Sequence, residues 1–94
     1  MKLKARGEEY DVNIIRANYG NGNLAIAIEL EDGEPFATLT VNIDILMPDY
    51  AFVDTNNCPW AEEFIKENNL GEFTGTVRKS GYCSYPLYKF YKEA

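Results

Sequence analysis

The chain has 94 residues, of which 46% are hydrophobic, and its formal net charge is −6. This length and composition predict one small globular domain over residues 1–94 and exclude a disordered chain. Because no apolar run is long enough to cross a bilayer and no signal-peptide pattern follows the basic N-terminus, we expect a cytoplasmic protein that does not bind membranes. Two cysteines do not make a disulfide framework, which also favours a reducing compartment.

Alternation of apolar and polar residues predicts several short strands. The segments with strand character are residues 1–5, 10–17, 24–31, 36–43, 50–55, 73–80 and 82–91. Residues 24–43 are predicted to form a hairpin around an Asp-Gly turn. Residues 18–23 are predicted to be a loop or a hairpin turn, and residues 44–49 a loop. Pro86 places the last strand at a sheet edge or at a bulge.

One helix is predicted at about residues 58–70, where four apolar residues form a stripe: Trp60, Ala61, Phe64 and Ile65. Pro59 suits the first helical position, Asn57 or Cys58 suits the cap before it, and Gly71 suits the C-terminal cap. The predicted fold class is therefore α+β, an antiparallel sheet of about five strands with the helix packed on one face.

Charge is distributed unevenly along the chain. Residues 17–65 contain nine carboxylates and no lysine or arginine, whereas residues 73–94 hold four basic residues against Glu93, a net charge of +3. Six carboxylates are candidates for an acidic binding face: Glu29, Glu31, Asp32, Glu34, Asp44 and Asp49. Such a face would attract a protein with a basic surface and repel nucleic acid, so no direct nucleic-acid binding is expected. The alternative is a solvated surface that only keeps the protein soluble.

Two cysteines are the candidates for thiol chemistry, Cys58 and Cys83. A cysteine at a helix N-terminus can be reactive, but the chain has no histidine to act as a base, and acidic neighbours would raise the thiol pKa. Packing at the start of the helix is the simpler explanation of Cys58. The two thiols could pair or share a metal, although their spacing lacks the close pattern of zinc sites. We predict no metal, no cofactor and no catalytic residues.

Tyrosines near the C-terminus are candidates for an aromatic patch: Tyr82, Tyr85 and Tyr88. Aromatic residues beside lysines can stack on single-stranded nucleic acid, and they also dominate protein–protein hot spots. Since most of the chain is acidic, a protein-binding patch is the preferred interpretation. The alternative is that about half of these side chains face the core.

Three segments together, residues 36–43, 54–65 and 80–90, resemble a small bacterial family designated domain of unknown function 4313. The resemblance spans most of the chain and implies no established activity or catalytic residue set. It implies a genomic setting among plasmids, phages and conjugative elements.

The resulting hypothesis is a non-catalytic, protein-binding accessory protein of a mobile element, an acidic inhibitor of a host nucleic-acid-handling defence effector of the anti-CRISPR or anti-restriction type. Two alternatives remain open. One is a thiol, redox or ligand-binding module that uses Cys58 and Cys83, and the other is a homo-oligomerising structural module.

Overall fold

The structure is a computed structural model that describes residues 1–45 and 47–92. Within these residues the chain forms eight strands and one helix: β1 (Lys2–Ala5), β2 (Glu8–Asn18), β3 (Leu24–Leu30), β4 (Pro35–Thr38), β5 (Thr40–Val41), β6 (Tyr50–Val53), α1 (Ala61–Glu67), β7 (Gly71–Ser80) and β8 (Cys83–Phe90). The strands make two four-stranded antiparallel sheets, in the orders β1-β2-β3-β4 and β5-β6-β8-β7. The predicted α+β class is confirmed, but two sheets of four strands replace one sheet of about five.

The second sheet arises because the predicted strand 36–43 changes partner at Leu39. β4 pairs with β3, whereas β5 pairs with β6. The N–H of Leu39 donates to the carbonyl of Ile26 at 2.8 Å, and its carbonyl accepts from the N–H of Asp54 at 2.8 Å. The Thr40 hydroxyl oxygen also accepts from the N–H of Ile26, at 3.1 Å. The strand thus passes from one sheet to the other with these backbone groups paired.

The main core is built from alternate residues of both sheets and from one side of the helix. Leu3, Val12, Ile26 and Ile28 of the first sheet meet Val53 and Phe90 of the second. The helix packs against β1 and β7, which are outer strands of the two sheets, and buries Ala61, Phe64 and Ile65 in this core.

The helix is shorter than the predicted range 58–70, and the predicted caps are wrong. Trp60 occupies the N-cap position without a side-chain hydrogen bond, so neither Asn57 nor Cys58 is the cap, and Pro59 precedes the helix. Asp54 organises the preceding turn instead. Its carbonyl accepts from the N–H of Cys58 at 2.8 Å, and its carboxylate accepts from the backbone and side-chain nitrogens of Asn57 at 3.2 and 2.9 Å.

Gly71 begins β7 and does not cap the helix. Asn68 is the C-cap residue, and Asn69 takes the left-handed conformation with a φ of 52°, which asparagine tolerates. A Cβ atom at Gly71 would collide with the carbonyl oxygen of Lys89, so glycine permits the close approach of β7 and β8. Of the described helices, none has the length and apolar composition needed to cross a membrane.

Pro86 lies on β8, which is an interior strand of the second sheet. It pairs with Val77 beside a register shift between Phe73 and Val77, so the bulge alternative is confirmed and the edge alternative is wrong. The described residues of the predicted loop 44–49 contain no helix or strand, and Leu46 lies outside the described residues.

Candidate functional site

The first sheet has one side against the core and one side toward solvent. Because side chains alternate along a strand and directly opposed residues share a side, the residues between the core positions form a second surface. We call this surface the outer face; it consists of Lys2, Lys4, Glu9, Asp11, Asn13, Ile15, Ala17, Ala25, Ala27, Glu29, Pro35 and Thr38.

One end of the outer face is acidic. Asp11 pairs with Lys2, and its carbonyl accepts from the N–H of Glu31 at 3.3 Å, so strands β1 and β2 meet the end of β3 here. Asp32 and Glu34 follow in the exposed turn, where the Glu34 N–H donates to the Asp32 carboxylate at 3.0 Å. We call the six carboxylates at this end the acidic rim: Glu9, Asp11, Glu29, Glu31, Asp32 and Glu34.

Two lysines offset only part of this charge. Lys2 forms ion pairs with Asp11 and, at 3.8 Å, with Glu9. The hydrogen bond to Asp11 and the nearby carboxylates, including Glu31, raise the pKa of Lys2. With Lys4 counted as well, the rim keeps an excess of four negative charges over its two lysines.

Next to the acidic rim, the outer face is apolar. Ile15 is 42% exposed, and it is opposite Ala27, which in turn pairs with Thr38. A shallow groove of about 310 Å³ runs along Ile15, Ala27 and Pro35 and reaches Glu29 of the rim. We call Ile15, Ala17, Ala25, Ala27 and Pro35 the apolar centre. An apolar centre beside a charged rim is the usual composition of a protein–protein interface.

Sequence reasoning found four of the six rim residues. It missed Glu9 and Asp11, because the lysines near them in the chain mask the local charge. The signal lies in the pairing of β2 with β3, which places Asp11 beside Glu31.

The other two predicted acidic residues lie elsewhere. Asp49 is half-buried and forms an ion pair with Arg16, while its carbonyl accepts from the N–H of Phe90 at 2.7 Å. Asp44 is exposed, and its backbone carbonyl accepts from Arg78 at 2.7 Å. Asp44 thus contacts β7 and Asp49 contacts β2 and β8, and neither residue is part of the outer face.

The three predicted tyrosines do not form one patch. Tyr82 is fully exposed at the tip of the β7–β8 hairpin, whereas Tyr88 is 6% exposed and donates to Glu62 at 2.5 Å. Burial first, and then this hydrogen bond, raise the pKa of Tyr88 strongly. Tyr85 is half-buried on the opposite side of β8 from Tyr88, and hydrogen bonding to Cys83 raises its pKa.

Both cysteines are free, and they have different surroundings. Cys58 is 3% exposed and belongs to the main core, with its sulfur 3.7 Å from the carbonyl oxygen of Thr38. Burial, and then the charge of Asp54, raise the pKa of the Cys58 thiol, which therefore stays protonated at neutral pH. Cys83 is half-buried at the start of β8. In the described part of the chain, no group of three or more His, Cys, Asp or Glu residues could hold a metal ion.

Fold and site together define a small antiparallel α+β protein with a solvent-exposed, acidic sheet face. The family model described as "Domain of unknown function (DUF4313)" matches residues 12–94, and the chain belongs to this family. The resemblance drawn from the three sequence segments is thereby confirmed, while the mobile-element setting stays a prediction. No curated protein and no solved structure matches the chain.

Proposed function

We propose that this protein is a non-catalytic binding protein whose outer face docks on the basic surface of another protein. The observation that supports the proposal is that a charged part and an apolar part of one surface are adjacent. The acidic rim borders the exposed apolar centre, and the groove along Ile15 and Pro35 runs into Glu29.

The two parts of the outer face supply different terms of binding. The rim would steer a basic partner and fix its orientation, because complementary charge acts chiefly on the rate of association and on specificity. The apolar centre would supply affinity through burial of Ile15 and of the alanines around it.

The proposed partner is a nucleic-acid-handling effector of the host, acting in the cytoplasm. Its binding groove would be lined with lysine and arginine for phosphate contacts, and the acidic rim would occupy that groove in place of phosphates. The mobile-element setting implied by the resemblance supports this choice, since such elements gain from blocking a defence effector.

Affinity capture with a charge-matched pair of variants tests this proposal. The rim variant combines Glu29→Gln, Glu31→Gln, Asp32→Asn and Glu34→Gln. The control variant removes the same charge from exposed carboxylates off the outer face, through Asp44→Asn, Glu63→Gln, Glu67→Gln and Glu72→Gln.

At low salt, the wild type and the control variant should capture the same basic, nucleic-acid-handling protein from a bacterial lysate. The rim variant should bind it about tenfold more weakly or worse, and high salt should weaken the wild-type complex. Equal capture by the rim variant, or a complex that is insensitive to salt, would overturn the proposal.

Self-association is a second candidate function, because β7 is an outer strand of its sheet. Phe73 and Val77 on this strand are 48% and 55% exposed. The bulge near Val77 and the charges of Arg78 and Lys79 are features that oppose edge-to-edge pairing. Sedimentation of the wild type and of Val77→Lys tests whether the protein self-associates. A wild-type dimer that becomes a monomer in Val77→Lys would establish self-pairing through β7.

The thiol alternative is weakened by the surroundings of Cys58. A buried thiol with a raised pKa reacts slowly, whereas the half-buried Cys83 should react first with a thiol reagent in native buffer. The variant Cys83→Ser should then leave only the slow reaction. Rapid modification of Cys58 in the folded Cys83→Ser protein would restore the thiol module as the leading function.

A further inference from the structure

A second groove lies between the β1–β2 turn and the segment that precedes α1. Its volume is about 750 Å³, within the range of small-molecule sites in proteins. Lys4, Arg6 and Glu8 of the hairpin form one wall, and Asn57, Pro59 and Trp60 form the other. We call this space the Trp60 groove.

The aromatic wall of the Trp60 groove is fixed in position by the rings behind it. The ring centroid of Trp60 lies 5.9 Å from that of Phe36 and 6.1 Å from that of Phe64. Phe36 in turn contacts Tyr10, with a centroid distance of 4.9 Å. Because these rings hold the indole and leave Trp60 only half-buried, it offers a preformed apolar surface to the groove.

In the Trp60 groove the acidic side chains have polar partners, whereas the basic side chains have none among the described residues. The carboxylate of Glu8 accepts from the Tyr10 hydroxyl at 2.7 Å, and that of Glu9 lies 3.8 Å from Lys2. Lys4 and Arg6, by contrast, form no ion pair and no side-chain hydrogen bond within residues 1–45 and 47–92. The groove therefore presents two cations without an ion-pair partner in the described part of the chain, next to two carboxylates that each have a hydrogen-bond or ion-pair partner.

Arg6 occupies a backbone position that does not suit it. It has a φ of 54°, followed by Gly7 at 76°, as in a two-residue type I′ turn, where Asn-Gly is the favoured pair. Non-glycine residues rarely adopt a positive φ, and strained backbone positions of this kind cluster at functional sites.

We infer that the Trp60 groove binds a small molecule that carries an aromatic ring and one anionic group. The ring packs against Trp60 and Pro59, while the anion receives charge-assisted hydrogen bonds from Arg6 and Lys4. Glu8 on the same wall repels a second anionic group, which selects ligands of single charge. This site shares Lys4 and Glu9 with the outer face, whereas Arg6, Pro59 and Trp60 lie outside that face, and it does not rest on the proposed protein docking.

Trp60 is the single tryptophan of the chain, so its fluorescence reports on the groove directly. Benzenesulfonate, which has both a ring and one permanent negative charge, should change this fluorescence saturably with a Kd of about 1 mM or lower. Methanesulfonate lacks the ring and benzenesulfonamide lacks the charge, and each should bind about tenfold more weakly. No saturable response to benzenesulfonate, or equal binding of the three probes, would overturn the inference.

The substitution Arg6→Asn separates binding from folding. Asparagine fits the turn, so the melting temperature should stay the same or rise, while benzenesulfonate binding should fall about tenfold. Lys79→Gln removes the same charge from β7, outside the groove, and should leave binding unchanged. Unchanged binding by Arg6→Asn, an equal loss in Lys79→Gln, or a lowered melting temperature of Arg6→Asn would each contradict a ligand-binding role for Arg6.

Discussion

The two sheets differ in the solvent exposure of the side that faces away from the main core. On the second sheet, Phe52 and Leu87 are opposite each other on that side and are 0% and 5% exposed. The Arg78 guanidinium lies 5.2 Å from the Phe52 ring centroid and donates to the carbonyl of Asp44 at 2.7 Å, which places Asp44 beside this surface. On the first sheet, the corresponding side is the exposed outer face, where Ile15 is 42% exposed.

The difference separates folding from binding. Burial of Phe52 and Leu87 stabilises the second sheet, so these residues are constrained by packing. Residues of the outer face contribute little burial, and their composition is free to serve recognition. Substitutions on the second sheet should therefore change stability, whereas substitutions on the outer face of the first sheet should change partner binding.

The largest expected effect comes from truncating the buried side of the second sheet. Phe52→Ala should lower the free energy of unfolding by about 3–5 kcal/mol, because it removes a fully buried ring and leaves a cavity. Ile15→Ala on the outer face should change it by only about 0.5 kcal/mol. Urea denaturation of both variants measures the two values. Similar losses at the two positions would show that the two sheets contribute alike to stability.

A substitution at the β7–β8 contact should cause the next largest loss of stability. Gly71→Ala should destabilise the protein by about 2 kcal/mol or more, because the added Cβ collides with the carbonyl oxygen of Lys89 and forces the strands apart. Gly20 has open space around it and no positive φ, so Gly20→Ala is the matched control and should be nearly neutral. If both variants unfold at the same urea concentration, the close approach of β7 and β8 is not required.

Alkaline pH should weaken the second sheet through Tyr88. Its folded-state pKa is raised above the ordinary value of 10.0, so its contribution is intact below pH 10 and falls as the pH rises further, when the unfolded chain loses this proton first. Between about pH 9 and 11, wild-type stability should fall by up to about 1 kcal/mol more than that of Tyr88→Phe. Parallel pH profiles of the two proteins would show that Tyr88 carries no such linkage.

The smallest expected effect comes from the acidic rim. Glu31→Gln should leave the free energy of unfolding unchanged or raise it by a few tenths of a kcal/mol, because it relieves repulsion between Glu31 and Asp11. Thermal unfolding at low salt gives the value. A clear loss of stability would mean that the rim serves the fold and not recognition.

How much the sequence reveals depends on whether a feature is local. The Asp-Gly hairpin and the helix follow from short-range patterns, and both are present. The change of partner at Leu39 is invisible in the sequence, because alternation reports which side a residue faces and not which strand it pairs with. The Arg16–Asp49 ion pair joins positions 33 residues apart. The local sequence therefore does not distinguish Asp49 from the exposed carboxylates.

The aromatic residues show the same limit. Tyr85 and Tyr88 are close in the chain, but an odd separation on a strand puts them on opposite sides of the sheet. The acidic rim was only partly predictable from the sequence. Its turn residues are contiguous in the sequence, whereas Glu9 and Asp11 join it only through the pairing of β2 with its neighbours.

Site-specific photo-cross-linking determines whether the outer face is the docking surface. A photoreactive phenylalanine is placed at Ile15 in the apolar centre or at Val77 on β7, two exposed positions on different sheets. The proposed function predicts a cross-link from position 15 to one basic, nucleic-acid-handling protein, lost when the rim carboxylates are neutralised, and none from position 77. A cross-link to the captured partner from position 77 alone would contradict it.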